Sequence, residues 1–243
     1  MYLLEFLKHR SFKSNKIQII INLVKLVFLQ VFKIKIAYVI KLKKMTTLTD
    51  RINALSMAFE KVDLQLLPVG EEKIPKFKRW QEGKFNKEEI IARNPTALGV
   101  RMGDSDFETV DVDSKNAQDP KVFKKEFIER FKQSGLDRSK FIVQSSQSGG
   151  FHLVYRTGIR TRKKKIAKDP HNRTLIEIIS EGMYLQIYNE EAFYNIAELE
   201  YLTSSEYHTL LSLCYSFNRH TSTTGSFQKY NPLFWAAKKQ HLQ

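Results

Sequence analysis

Cysteine is nearly absent: Cys214 is the only one in 243 residues. One thiol excludes a disulfide framework and any zinc site built on several thiolates, and it fits a reducing cytoplasm. Acidic side chains are also scarce, with 26 Asp and Glu against 40 Lys and Arg, for a formal charge of +14. The surplus is uneven. Residues 1–44 hold ten of the basic residues and one carboxylate, Glu5, so +9 lies in this leader and +5 in the other 199 residues. Whole-chain charge is therefore a weak pointer to a nucleic acid.

Long apolar runs are missing too. A membrane span needs roughly 20 apolar residues, and Lys25, Lys33 and Lys35 interrupt "IQIIINLVKLVFLQVFKIKIAYVI" (17–40). No small-residue cleavage site follows, which excludes a secretory signal, and no repeat at solenoid periods is visible. The leader, 1–44, reads either as a translated stretch upstream of a true start at Met45 or as an interfacial amphipathic helix. Stable membrane insertion is not expected. Hydrophobic residues at 42% and aromatics at 12% supply a real core, which we place in residues 45–217, ahead of a polar tail at 218–243.

Periodicity divides that body. Ile52, Leu55 and Phe59 form the stripe of a helix capped at Thr47 or Thr49 and reaching about Val62. "GEEKIPKFKRWQEGKF" (70–85) is a basic loop, and Asn86 with Glu89 is a capping-box variant opening a short helix. "ALGVRM" and "FETVDV" read as strands joined through "GDSD" by a hairpin-like turn. Asp119 and Pro120 open a helix with the stripe Val122, Phe123, Phe127, Ile128 and Phe131, closed by Gly135. "FIVQ" and "FHLVYR" are strands around the loop "SSQSGG" (145–150). A basic segment, the strands "LIEIIS" and "YLQIY", and a helix boxed by Thr203 and Glu206 complete the body. Tyr184 and Tyr188 read as core. Interleaved strands and helices give an α/β or α+β class.

Chemistry concentrates in three places. In "FETVDVDSKN", Asp111 and Asp113 share the strand face opposite Val110 and Val112. Like charges that close need a positive partner. Glu177 stands between Ile176 and Ile178 on another strand, and His152 follows the Ser-Gly-Gly turn. Each feature alone has a plain structural explanation: a strand-end pair, a solvated glutamate, a hydrogen-bonded core histidine. Together, three carboxylates on two strands are the set a two-metal phosphoryl-transfer site needs, and Mg²⁺ is content with few protein ligands. Small residues let backbone N–H groups approach a phosphate, and His152 can donate to it. Arg156, on the strand face of His152, is a further expected phosphate contact. "RTRKKK" (160–165), including Lys165, is either a grip on triphosphate or template backbone or a solvated loop. Lys78, Arg79 and Trp80 are expected to meet template by charge and stacking.

In this order the elements resemble the prim-pol branch of the archaeo-eukaryotic primase superfamily, the bifunctional DNA primase/polymerase domain. "KIPKFKRW", "ALGVRMGDSDFETVDVD", "QSGGFHLVYR" and "LIEIISEG" carry the resemblance, from about Leu67 to Phe217. It implies an RRM-like mixed sheet flanked by helices. Asp111, Asp113 and Glu177 would hold two Mg²⁺ or Mn²⁺ ions. His152, Ser148 and the Gly149–Gly150 backbone would take the nucleotide's phosphates. The implied reaction is template-directed nucleotidyl transfer in the cytoplasm, with DNA template and nucleoside triphosphates as partners, serving a plasmid, phage or other mobile element. Many relatives continue into a helicase, so a separate helicase is expected here. The chain departs from the pattern at "EGMYLQIYNEEAFYN", where the family usually shows Gly-Gly and a Pro-rich strand end. Two rivals stand beside this reading. One is a non-catalytic nucleotide or single-stranded DNA-binding module. The other is a metal-dependent nuclease, against which Ile179 occupies the lysine position of a Glu-x-Lys pattern.

Overall fold

The computed structural model describes residues 47–103, 105–159 and 164–220, together with Asn22, Leu26, Val27, Leu29 and Gln30. The remainder of the leader, residues 160–163 of the basic run and the tail beyond His220 lie outside the described residues. The chain divides into a leader unit, Met1–Thr47, and a body, Leu48–Gln243. Among the described residues no helix is long and apolar enough to cross a membrane.

In chain order the body runs α1 (Leu48–Glu60), β1 (Gln65–Val69), α2 (Lys87–Ala92), β2 (Ala97–Met102), β3 (Phe107–Val112), α3 (Pro120–Gln133), β4 (Phe141–Ser145), β5 (Phe151–Thr157), β6 (Lys164–Lys168), β7 (Thr174–Ile179), β8 (Met183–Ile187), β9 (Tyr201–Leu202) and α4 (Ser204–Tyr215). Local signals set the helix ends. Asn86 and Glu89 form a reciprocal capping box on α2, as Thr203 and Glu206 do on α4. Asp119 accepts from the backbone of Lys121 and Val122 ahead of Pro120. Each cap meets N–H groups that the first turn cannot satisfy internally.

The expected stripe on α3 is narrower than its apolar residues. Phe123 and Phe127 are buried, whereas Val122 and Ile128 are 59% and 40% exposed. At 3.6 residues per turn both lie about 100° or more around the axis from Phe127, so neither reaches the sheet.

Six antiparallel strand pairings among the described residues build two sheets. The smaller has the order β1-β2-β8 and the larger β4-β5-β3-β7-β6, with β9 beside β5. In the larger sheet β3, the first strand, lies between β5 and β7, and β4 lies outside β5, which is an RRM-type arrangement. The sheet is mixed only through β9, which pairs β5 in parallel. The expected hairpin between β2 and β3 does not form. β2 already has β1 and β8 on its two edges, and β3 has β5 and β7, so neither offers an edge to the other. Instead the chain crosses from one sheet to the other at Gly103. A Cβ there would meet the Glu181 backbone at 2.1 Å, and φ is +93°, so the crossing requires glycine. The end of the basic segment is itself an edge strand, β6, paired with β7.

The larger sheet is buried on both faces. Val110, Val112, Phe151, Leu153, Tyr155, Ile176 and Ile178 point toward α3 and α4 and pack with Phe127, Tyr207 and Leu210. The opposite face contributes Phe107, Ile142, Val154 and Ile179 to a second core with α1 and the smaller sheet. Alternation within each strand thus feeds two cores, and Gln144, His152, Asp111 and Glu177 fall side by side on the second face.

Phe127→Ala should therefore cost about 3–5 kcal/mol of unfolding free energy, the usual price of emptying a buried phenylalanine site. Val122→Ala should stay within about 0.5 kcal/mol. Urea titrations of both variants check the facing of α3.

Candidate active site

Strand register gathers four of the expected residues, His152, Asp111, Glu177 and Lys165, with Gln144 beside them. Gln144 of β4 is paired with His152 of β5, His152 with Asp111 of β3, Asp111 with Glu177 of β7, and Glu177 with Lys165 of β6. Directly opposed residues of paired strands point to the same face. Five strands therefore place Gln144, His152, Asp111, Glu177 and Lys165 in one transverse row. His152 Nε2 lies 3.4 Å from Asp111 Oδ1. Gln144 and His152 are buried, Asp111 and Glu177 half-buried, and Lys165 exposed.

Asp113 takes a different position from a strand residue. It follows the last residue of β3, its N–H donates to Leu175 O at 2.9 Å, and it precedes a 3₁₀ turn at Ser114–Asn116. Its Oδ2 accepts from Lys115 Nζ at 3.1 Å and Asn116 Nδ2 at 3.2 Å. Oδ1 is buried with no hydrogen-bond partner among the described residues.

Directly opposed residues of paired strands have Cβ atoms about 5 Å apart, and two carboxylates held at that spacing would repel by about 3 kcal/mol at an effective dielectric of about 20. In the row Asp111 and Glu177 stand between His152 on one side and Lys165 on the other. Among the described residues no three His, Cys, Asp or Glu side chains already converge as a metal-binding group. Asp111 instead contacts His152, and Asp113 contacts Lys115 and Asn116. The donors still fit a hard divalent cation, because they are all carboxylate oxygens. The orphaned Asp113 Oδ1 is a buried acceptor that such an ion would satisfy.

The Ser-Gly-Gly turn closes tightly onto the end of β3. Ser146 N–H donates to Gly150 O at 3.0 Å, and Gly149 N–H donates to Ser146 O at 3.2 Å. That second bond removes the Gly149 N–H from the donors left for a phosphate. Ser148 is exposed, with its Oγ 3.1 Å from Ser146 Oγ.

Other expected contacts are not brought to the row. Arg156 is on the face of His152 but four residues along β5, about 13 Å at the usual strand rise. Its guanidinium lies 4.2 Å from the Tyr201 ring and 5.5 Å from the Phe107 ring. Lys78 and Arg79 are exposed on the loop before α2, and Trp80 is half-buried, edge-on to Tyr184 at 5.4 Å. Arg101 pins that loop by donating to Trp80 O at 2.9 Å and Gly83 O at 2.6 Å.

A family model described as bifunctional DNA primase/polymerase, N-terminal, matches residues 55–192. The chain belongs to the Prim-Pol family. No curated protein matches it. Membership brings a primase/polymerase-type nucleotidyltransferase function at family level, with DNA and nucleotides as substrates. The matched segment spans the whole row and ends before α4.

Two residues beside this row were not anticipated from the sequence of the Prim-Pol chain. Tyr188 is not core: it is half-buried, and its ring centroid lies 5.8 Å from that of His152. Burial, then the Asp111 charge, pushes its phenol above the ordinary value. Tyr184 is likewise half-buried, with its hydroxyl donating to Lys73 O. Gln144 was the other omission. Alternation with the buried Ile142 in "FIVQS" puts it on the inner face, where a polar side chain needs partners.

Gly150 gives a direct check on the loop. A Cβ there would meet Val112 O at 2.1 Å, between the two aspartates. Gly150→Ala should displace the turn from β3 and lower triphosphate affinity by about tenfold or more, read by calorimetric titration. Gly149→Ala meets nothing within 4 Å but has φ +86°, so its cost is backbone strain alone.

Proposed function

We propose that this Prim-Pol chain is a template-directed nucleotidyltransferase that primes or extends DNA for a mobile element, plasmid or phage in the cytoplasm, beside a separate helicase. The observation that carries the reading is the transverse row, in which two acids, a histidine, a lysine and a glutamine from five strands share one face. Asp111, Asp113 and Glu177 are the residues that would hold two divalent ions, Mg²⁺ or Mn²⁺. When bound, such ions lower the pKa of an attacking hydroxyl and neutralise triphosphate charge.

The chain's own residues do the rest. His152 presents its Nε2 to a phosphate oxygen, and Ser148 and the turn backbone approach the same group. Lys165 adds positive charge at the outer end of the row. A 3′-hydroxyl, or a first nucleotide in priming, attacks the α-phosphorus in line, the new phosphodiester forms and pyrophosphate leaves. Lys78, Arg79 and Trp80 serve the template strand by charge and stacking. No side chain is assigned as general base.

One observation favours a second reading, a non-catalytic nucleotide or single-stranded DNA-binding module: the acids do not already converge as a metal-binding group among the described residues. A single assay separates the possibilities. The full chain and its Asp111→Ala/Asp113→Ala variant are given single-stranded template, with and without primer, each nucleotide type, and Mg²⁺ or Mn²⁺. New product is expected from the wild type, falling by at least about 10²-fold in the variant. Binding with no product above the variant would favour the module, and shortened template would make the protein a nuclease.

A further inference from the structure

We propose that Gln144 is the positioning residue of this site: its one amide fixes the proton of His152 on Nε2 and seats Tyr188 beside the ring. What His152 then does rests on the polymerase reading; the hydrogen bonding that fixes it does not.

The amide has only one satisfactory orientation. Its Oε1 accepts from Tyr188 N–H at 2.9 Å and from Asn189 N–H at 3.4 Å. Both partners are donors and nothing else. Its Nε2 donates to Gln186 O at 2.8 Å, an acceptor and nothing else, and lies 2.9 Å from His152 Nδ1. Flipping the amide would set its NH₂ against two N–H groups and its oxygen against a carbonyl. Gln144 is 2% exposed and His152 6%, so water offers little relief from such a mismatch. His152 Nδ1 must therefore accept, and in neutral imidazole the proton lies on Nε2.

That tautomer decides what the row presents. Nε2 faces Asp111 Oδ1 at 3.4 Å and the space beside it. As an N–H it is a donor to carboxylate or phosphate oxygen. In the other tautomer it would turn a lone pair toward the same oxygens and repel them. The same amide also binds three backbone groups of one segment, Gln186, Tyr188 and Asn189, to a strand of the larger sheet. The Tyr188 ring, 5.8 Å from His152 at an interplanar angle of 34°, is held there by this clasp.

Gln144→Glu separates positioning from mere structure. A carboxylate still accepts from Tyr188 and Asn189, but it faces His152 Nδ1 with an acceptor where a donor is needed. Imidazole nitrogen NMR on the full chain with ¹⁵N-labelled histidine, assigned by loss of the signal in His152→Gln, gives the readout. The wild type should show Nδ1 bare and Nε2 protonated, and in Gln144→Glu the proton should appear on Nδ1. The nucleotide KM, with kcat moving less, should rise ~10-fold or more, as for other residues that orient a functional histidine.

A wild-type spectrum with Nδ1 protonated overturns the proposal, as does an unchanged spectrum in Gln144→Glu. Because the wild-type spectrum needs only His152→Gln for its assignment, a Gln144→Glu chain that fails to fold still leaves the question decided. If the tautomer moves as stated but neither chain makes DNA, the positioning role stands and the polymerase reading falls.

Discussion

The register of β3 is the constraint on which the site depends. A slip of one residue along a strand turns every side chain to the opposite face. For β3 that slip would send Asp111 among Phe127, Phe151 and Ile176, and bring Val110 and Val112 out of the core they fill. β3 is paired along both edges, over Phe107–Val112 with β5 and Thr109–Val112 with β7. Burying a valine is worth about 1.5 kcal/mol or more, and leaving an aspartate unpartnered in the same core costs more still. The hydrophobic residues thus fix the functional ones by alternating with them.

Much of this was legible in the sequence wherever the signal is local. The boxes Asn86–Glu89 and Thr203–Glu206 and the Asp119–Pro120 cap depend on residues three apart or fewer, and each helix begins where they say. The sharing of a face by Arg156 and His152 likewise follows from strand alternation. Pairing between strands is not local. "ALGVRM" and "FETVDV" are close in sequence and read as a hairpin, yet both are interior strands of different sheets. Nothing within the ten or so residues around them records the partners, β8 and β7, that occupy their edges. Val122 and Ile128 are apolar without being inward, a distinction that only the width of the contact with the sheet decides. Gln144 and Tyr188 were missed for a similar reason: their importance comes from each other and from His152, across three separate segments.

Polar groups at the row form a graded series. At one end Gln144 is fully enclosed and held by backbone groups with fixed roles. His152 and Asp111 come next, then Glu177, and Lys165 lies at the open edge. Rigid partners thus lie at the buried end, and adjustable charges lie where a ligand would arrive. Asp113, beyond the strand and paired with an exposed lysine, belongs to the adjustable group. Such an arrangement suits a site that preorganises its donor and leaves its acids to close on an incoming charge.

Whether Asp111 and Glu177 act as one site is most directly read from a double-mutant cycle on nucleotide incorporation, using Asp111→Asn, Glu177→Gln and the pair. Cross-strand neighbours serving the same charge should be strongly non-additive, the double variant losing little more than the worse single. Losses that multiply in the double variant, or incorporation that survives Glu177→Gln, would contradict the shared row.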